Sequence, residues 1–215
     1  MTRAVLWDLD GTLVDSEEFH WQSWEHVLGA DGVRVTREQF KATFGQRNDR
    51  ILRGWLGAES TDERIARVAE AKEAEYRRLA EVNGLTPLPG AAAWLVRLQA
   101  EGWKQAIASS APRQNVEVML RALHLQGYFD AIVASEVVTK GKPDPQVFLA
   151  AATRLAIAAS RCIVVEDAAA GIEGAKRAGM KCIGVSRTAP LDADVFVRSL
   201  DDLSDDAFER LLQTR

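Results

Sequence analysis

A chain of 215 residues, 47% apolar and 27% charged, can bury a full core as one α/β domain or as one domain carrying a smaller insertion. Its formal net charge of −4 argues against a nucleic-acid surface. No apolar run approaches the ~18–20 residues of a membrane helix, and no basic region followed by an apolar stretch marks a signal peptide at the N-terminus.

In chain order, Ala4–Trp7 is a short β-like apolar run that leads directly into Asp8-Leu9-Asp10-Gly11-Thr12. From about Ser16 to Thr86 only helical patterns follow. Ser16 is placed to cap the first of these helices, on which His20 and Trp24 share a face at i and i+4. The helix Thr61–Val82 carries a stripe of Ile65, Val68, Ala69, Tyr76 and Leu79, with Lys72 in its middle. Asn83–Gly90 reads as a linker back to the main domain.

Helix and strand then alternate. Helices are expected at Ala91–Glu101, Pro112–Leu123, Pro145–Leu155 and Ala169–Gly179, and strands at Gln105–Ala108, Ala131–Ala134, Cys162–Val165 and Cys182–Val185. Gly102, Gly127 and Gly179 sit where helices should end, and Pro112 and Pro145 where they should begin. Cys162 and Cys182 lie in apolar runs and read as buried free thiols, which fits a reducing cytosol and a cytoplasmic protein. Trp7, Trp94 and Trp103 read as core residues.

This pattern predicts an α/β fold: a Rossmann-like parallel sheet flanked by helices, with a small inserted α-helical cap domain. The core would comprise 1–15 and 87–215, and the cap 16–86. A monomer is expected.

Two carboxylates two residues apart at the C-terminal end of a strand occupy the place where such sheets bind ligands. Like charges this close resist joint ionisation unless a cation intervenes, and a hard divalent metal would satisfy them. Gly11 allows the sharp turn that follows.

Four motifs in order then identify a resemblance. They are Asp8-Leu9-Asp10-Gly11-Thr12; Ile107-Ala108-Ser109 closing the second strand; Gly141-Lys142-Pro143-Asp144-Pro145 before a helix; and Val164-Val165-Glu166-Asp167 closing the fourth strand. The sequence resembles the haloacid dehalogenase superfamily, in the branch with a helical cap inserted after the first motif, and is similar to its β-phosphoglucomutases and sugar-phosphate phosphatases. The resemblance implies Asp8 as nucleophile and Asp10 as general acid and base. Ser109 would bind the phosphoryl group, and Lys142 would neutralise charge on it and on Asp8. Mg²⁺ would be held by Asp8, the Asp10 backbone carbonyl, Asp167 and water, with Glu166 binding it either directly or through water. The dehalogenases that name the superfamily lack an aspartate at the position of Asp10, so its presence argues for phosphate chemistry.

The resemblance also suggests substrate contacts. β-Phosphoglucomutases carry a histidine and a tryptophan at the offsets of His20 and Trp24, and a lysine four residues before a tyrosine, as Lys72 precedes Tyr76. The loop Phe44-Gly45-Gln46-Arg47-Asn48-Asp49 resembles the family's specificity loop, so Gly45 and Arg47 become candidates, with Arg47 gripping a distal phosphate. Lys72 reads either as a lysine snorkelling at a packed edge or as one aimed into the cleft toward a second anion. The run Ser109-Ser110-Ala111-Pro112-Arg113 departs from the mutases' Ser-x-Ser-Lys-Asn, and Ser110 is a further substrate-binding candidate. The expected function is a Mg²⁺-dependent phosphatase acting on a small phosphorylated metabolite, a sugar or polyol phosphate, through an aspartyl-phosphate. A β-phosphoglucomutase-type isomerase is the alternative, and a phosphonate hydrolase with Lys41 or Lys72 as Schiff-base lysine is a third.

Overall fold

The computed structural model describes residues 2–57 and 59–213. Its centre is a parallel sheet of β1 (Ala4–Trp7), β2 (Lys104–Ala108), β3 (Ala131–Val133), β4 (Cys162–Glu166), β5 (Lys181–Val185) and β6 (Val195–Val197), in the order β3-β2-β1-β4-β5-β6. The chain builds outward from β1 to β3, returns to β4 on the other side of β1, and builds outward again. The order therefore reverses between β1 and β4, where an open α/β sheet leaves a crevice at its carboxyl ends. Trp7 is in register with both Ile107 and Val165, so the residues that follow β1 emerge at the mouth of that crevice.

Strands buried on both faces read as unbroken apolar runs, and β1 is buried at all four positions. Ala4 and Leu6 face one core layer, and Val5 and Trp7 the other. The first layer packs against α7 (Gln146–Leu155) and α8 (Ala169–Arg177). The second packs against α5 (Ala91–Ala100), α6 (Arg113–Ala122) and α9 (Ala207–Gln213). In the second layer Trp94, Trp103 and Trp7 surround Phe208 with ring centroids 5.0, 5.8 and 6.2 Å away. Trp7 Nε1 donates to Gln105 Oε1 at 3.0 Å and Gln105 Nε2 to the Leu95 carbonyl at 3.0 Å, which pairs this indole and amide inside the apolar layer, whereas Trp103 Nε1 in the same layer is buried without a hydrogen-bond partner.

Between β1 and α5 run α1 (Glu17–Ala30), α2 (Arg37–Thr43), α3 (Asn48–Leu56) and α4 (Asp62–Asn83). They enclose a core of their own built from Trp21, Trp24, Leu28, Phe40, Leu52 and Val68. The other three tryptophans belong here: Trp21 packs on Phe40, and Trp24 meets Trp55 edge-on at 5.2 Å. Thr61 starts α4 by accepting a hydrogen bond from the Arg64 amide at 3.2 Å. Two adjacent strands of chain join this helical unit to the sheet, with Asp15 N donating to Thr86 O and Leu88 N to Leu13 O.

Three features differ from expectation. The edge strand β6 was not anticipated; it is only three residues long and is half-buried at each of them. The turn after α6 is made by His124 at φ 57°, not by Gly127, which lies in a 3₁₀ turn. Ser16 precedes α1 but makes no side-chain cap; its hydroxyl is drawn to Asp10 instead. Gly102 and Gly179 do take positive φ at helix ends. Both cysteines are buried and free. Among the described residues no helix is long and apolar enough to cross a membrane.

Candidate active site

Asp8 leaves β1 with its amide donating to the Val165 carbonyl at 3.0 Å, which ties it beside the end of β4. The chain then winds tightly: the amides of Thr12, Leu13 and Val14 all converge on the Leu9 carbonyl. Gly11 holds φ at 83°, and a β-carbon there would stand 2.2 Å from Asp167 Oδ2. Only glycine satisfies both the backbone and this close approach. Gly171 is similarly constrained, since a β-carbon would strike the Glu166 carboxyl at 2.0 Å.

Lys142, arriving from the loop before α7, is almost wholly buried and donates to Asp8 Oδ1 at 2.5 Å and to Glu166 Oε2 at 2.7 Å. Asp167 completes the group, and one carboxylate oxygen from each of Asp8, Glu166 and Asp167 lies within 4.8 Å of the others. Thr12 is fully buried behind them with its hydroxyl 3.4 Å from Asp167 Oδ1. Burial pushes the pKa of all three carboxyls upward, reinforced at Asp8 by Asp10, at Glu166 by Asp8 and at Asp167 by Glu166 and Asp8, and takes Glu166 to about 8. Burial opposes the charge of Lys142, but Asp8 and Glu166 outweigh it and raise its pKa.

Three carboxylates and one ammonium leave an excess of negative charge that a cation would relieve. Hard oxygen donors converging on one point suit Mg²⁺, so the residues fit that metal.

Asp10 turns the other way. Its Oδ1 accepts from Ser16 Oγ at 2.5 Å and lies 3.0 Å from His20 Nε2. Burial would raise its pKa, but His20 and Ser16 hold it below the usual carboxylate range. Lys72 Nζ lies 2.7 Å from His20 Nδ1. An ammonium can only donate, so Nδ1 accepts and Nε2–H points at Asp10. His20 stacks on Tyr76 with centroids 4.1 Å apart. Lys72 also donates to Glu73 Oε1 at 2.9 Å, beside the faces of Trp24 and Tyr76.

These groups line one cleft between the sheet and the helices α1–α4. Asp8, Asp10, Ser109, Ser110 and Ala111 form its floor; His20, Trp24, Gly45, Asn48, Lys72 and Glu73 belong to its roof and far wall. Ser109 is buried with its Oγ accepting from the Ala111 amide at 3.0 Å. About 50 Å³ is free inside, far less than a typical ligand pocket of ~300–1,000 Å³.

Of the sequence candidates, Asp8, Asp10, His20, Trp24, Gly45, Lys72, Ser109 and Ser110 line the cleft, and Glu166 and Lys142 stand behind Asp8. Arg47 does not line it. It precedes α3 in extended backbone, which directs the side chain sideways: Nη1 donates to the Ser135 and Val138 carbonyls at 2.9 and 3.0 Å, and the stem lies against Gly141. Lys72 is neither snorkelling nor free, but paired with Glu73. Lys41 is exposed near Glu17 and does not line the cleft. Thr12, Glu73, Asn48 and Asn115 were not anticipated. Glu73 could have been found, because Ile65, Ala69 and Glu73 follow each other at i+4 and place a carboxylate on the buried face of α4.

Residues 5–185 match the family model described as haloacid dehalogenase-like hydrolase. The chain is 36% identical to a β-phosphoglucomutase of Bacillus subtilis over 211 residues, covering 94% of this chain and 92% of that protein. It is 31% identical to a fructose-1-phosphate phosphatase of Escherichia coli, covering 85% and 95% respectively. Among solved structures, a β-phosphoglucomutase of Clostridium difficile superposes with a TM-score of 0.89 at 25% identity, covering 99% of this chain and 98% of that one.

Proposed function

The chain belongs to the haloacid dehalogenase-like hydrolases, and from that premise we propose that it is a Mg²⁺-dependent phosphatase of sugar or polyol phosphates working through an aspartyl-phosphate at Asp8. The observation that carries this reading is the meeting of Asp8, Lys142, Glu166 and Asp167 in one buried cluster at the crevice between β1 and β4. Helices α1–α4, within 16–86, act as the cap over it.

In this reading an Asp8 carboxylate oxygen attacks phosphorus, and the bond to the sugar oxygen breaks. Asp10 protonates that oxygen. The arriving phosphoryl group, itself negative, raises the proton affinity of Asp10, which His20 and Ser16 lower in its absence. Water then attacks the aspartyl-phosphate and passes a proton to Asp10, and phosphate leaves. Lys142 holds positive charge beside Asp8 throughout, and Ser109 with the loop amides offers donors to the phosphoryl oxygens. Asp8, Glu166, Asp167 and the Asp10 carbonyl would hold Mg²⁺, which supplies charge neutralisation at the transferring group. Cap closure excludes bulk water from the ester-cleavage step.

A mutase reading draws support from His20 reaching Asp10 with Lys72 behind it, and from the relatives of that name. Ala111 in the cleft floor favours the phosphatase, because it offers no polar group where the mutases have a serine. The test is a phosphatase screen over a metabolite panel with and without Mg²⁺, with β-glucose 1-phosphate and a trace of its 1,6-bisphosphate as one arm. Release of free phosphate supports the phosphatase; isomerisation to glucose 6-phosphate with little phosphate release overturns it.

A further inference from the structure

We propose that Glu73 is a specificity-determining residue that makes the cleft accept monophosphates with an uncharged hydroxylated tail and reject the corresponding bisphosphates. The inference rests on the phosphatase reading and concerns the end of the cleft away from Asp8.

A second phosphate needs a cation to receive it. Among the described residues lining the cleft, Lys72 is the sole lysine or arginine, and its charge is met by Glu73 at 2.9 Å with both side chains buried. Arg47 is held on two backbone carbonyls of the sheet domain, and Lys142 lies between Asp8 and Glu166. Arg77 points to Asn115 and Arg113 to Glu117. A bisphosphate would therefore bring its second dianion against a wall whose one positive charge is already matched.

The carboxylate is fixed and not incidental. Glu73 Oε1 accepts from Lys72 and from Asn48 Nδ2 at 2.5 Å, and Oε2 accepts from Asn115 Nδ2, so helix α3, helix α4 and the sheet domain's α6 all hold it. Burial would neutralise it, yet Lys72 and Asn48 hold its pKa below the ordinary glutamate value. A carboxylate has about four lone-pair positions. Three are filled, and the fourth can accept a hydroxyl hydrogen from a sugar or polyol but repels phosphate oxygens.

The experiment measures binding to the Asp8→Asn protein with Mg²⁺ by calorimetry, using fructose 1-phosphate and fructose 1,6-bisphosphate as probes. The Glu73-bearing protein should prefer the monophosphate. Glu73→Gln leaves Lys72 unmatched and should improve bisphosphate binding relative to monophosphate at least about tenfold, the size of one close charge contact. The double change Lys72→Met with Glu73→Gln restores local neutrality and should abolish that gain, which mere loosening of the cap would not do. Thermal melts establish that each variant is folded. Equal binding of the two probes to the Glu73-bearing protein, with no binding of either counted as equal, would overturn the proposal. So would a ratio that Glu73→Gln leaves unmoved. Failure of the wild-type chain to release phosphate from any monoester would instead refute the phosphatase reading, while the binding ratio still decides the role of Glu73.

Discussion

Asp8 and Asp10 are two positions apart, yet their carboxyls face different partners: Asp8 faces Lys142, and Asp10 faces Ser16 and His20. In the mechanism we propose, that divergence separates the nucleophile from the proton carrier. Asp8→Asn should abolish turnover, and Asp10→Asn should lower kcat by ~10²–10⁴-fold while substrate still binds; steady-state assays check both. The cluster around Lys142 also makes a pH prediction. Glu166 is raised from 4.5 to about 8, mainly by burial and then by Asp8. The metal-free fold thus binds this proton more tightly than the unfolded chain. The associated stability is fully present below about pH 4.5 and is lost as pH rises toward about 8. Thermal unfolding with a chelator should fall across that window, and Mg²⁺ should restore stability most at the upper end, because metal displaces protons. A flat profile with no Mg²⁺ effect would contradict the site. Asp8, Asp10, Ser109, Lys142, Glu166 and Asp167 were legible because strand ends in a doubly wound sheet must meet. The fate of Arg47 was not, because its acceptors are backbone carbonyls 88 and 91 positions away, and nothing local marks them.

At the scale of elements, the turn after β1 tolerates little change. Gly11→Ala would require a left-handed alanine, at about 1–2 kcal/mol, and would press a methyl into Asp167. Loss of activity together with a lowered Tm is the expected result. Arg47 ties α3 to the loop before α7 without touching the cleft, so Arg47→Ala should leave each unit folded but populate an open form. Small-angle scattering should then show a larger radius of gyration; an unchanged value would mean that Arg47 does not hold the cap shut. Elements with a clear pattern were legible from sequence, including the first five strands and the helix that Thr61 begins. Those set by tertiary context were not. β6 is three residues long, and His124 occupies a left-handed turn that propensity would assign to glycine.

For the whole molecule, the inserted helices carry their own tryptophan-rich core and reach the sheet domain through two adjacent connections. In the reading we propose, these helices close over the cleft, which holds about 50 Å³ of free space. A run of helices without strands was legible in the sequence, but the polar seam of Asn48, Glu73 and Asn115 was not, since its members lie on three separate helices. The central claim is that Asp8 carries the phosphoryl group. Its most direct test is a rapid acid quench of the wild-type enzyme with Mg²⁺ and a ³²P-labelled sugar monophosphate to count protein-bound phosphate, with a parallel unlabelled quench reduced by tritiated borohydride, which expels phosphate and leaves tritium on the acylated residue for peptide mapping. Acid-stable, transient label on Asp8 that is absent from Asp8→Asn is the predicted result; phosphate release in a single turnover with no label on the protein, or with label elsewhere, would contradict it.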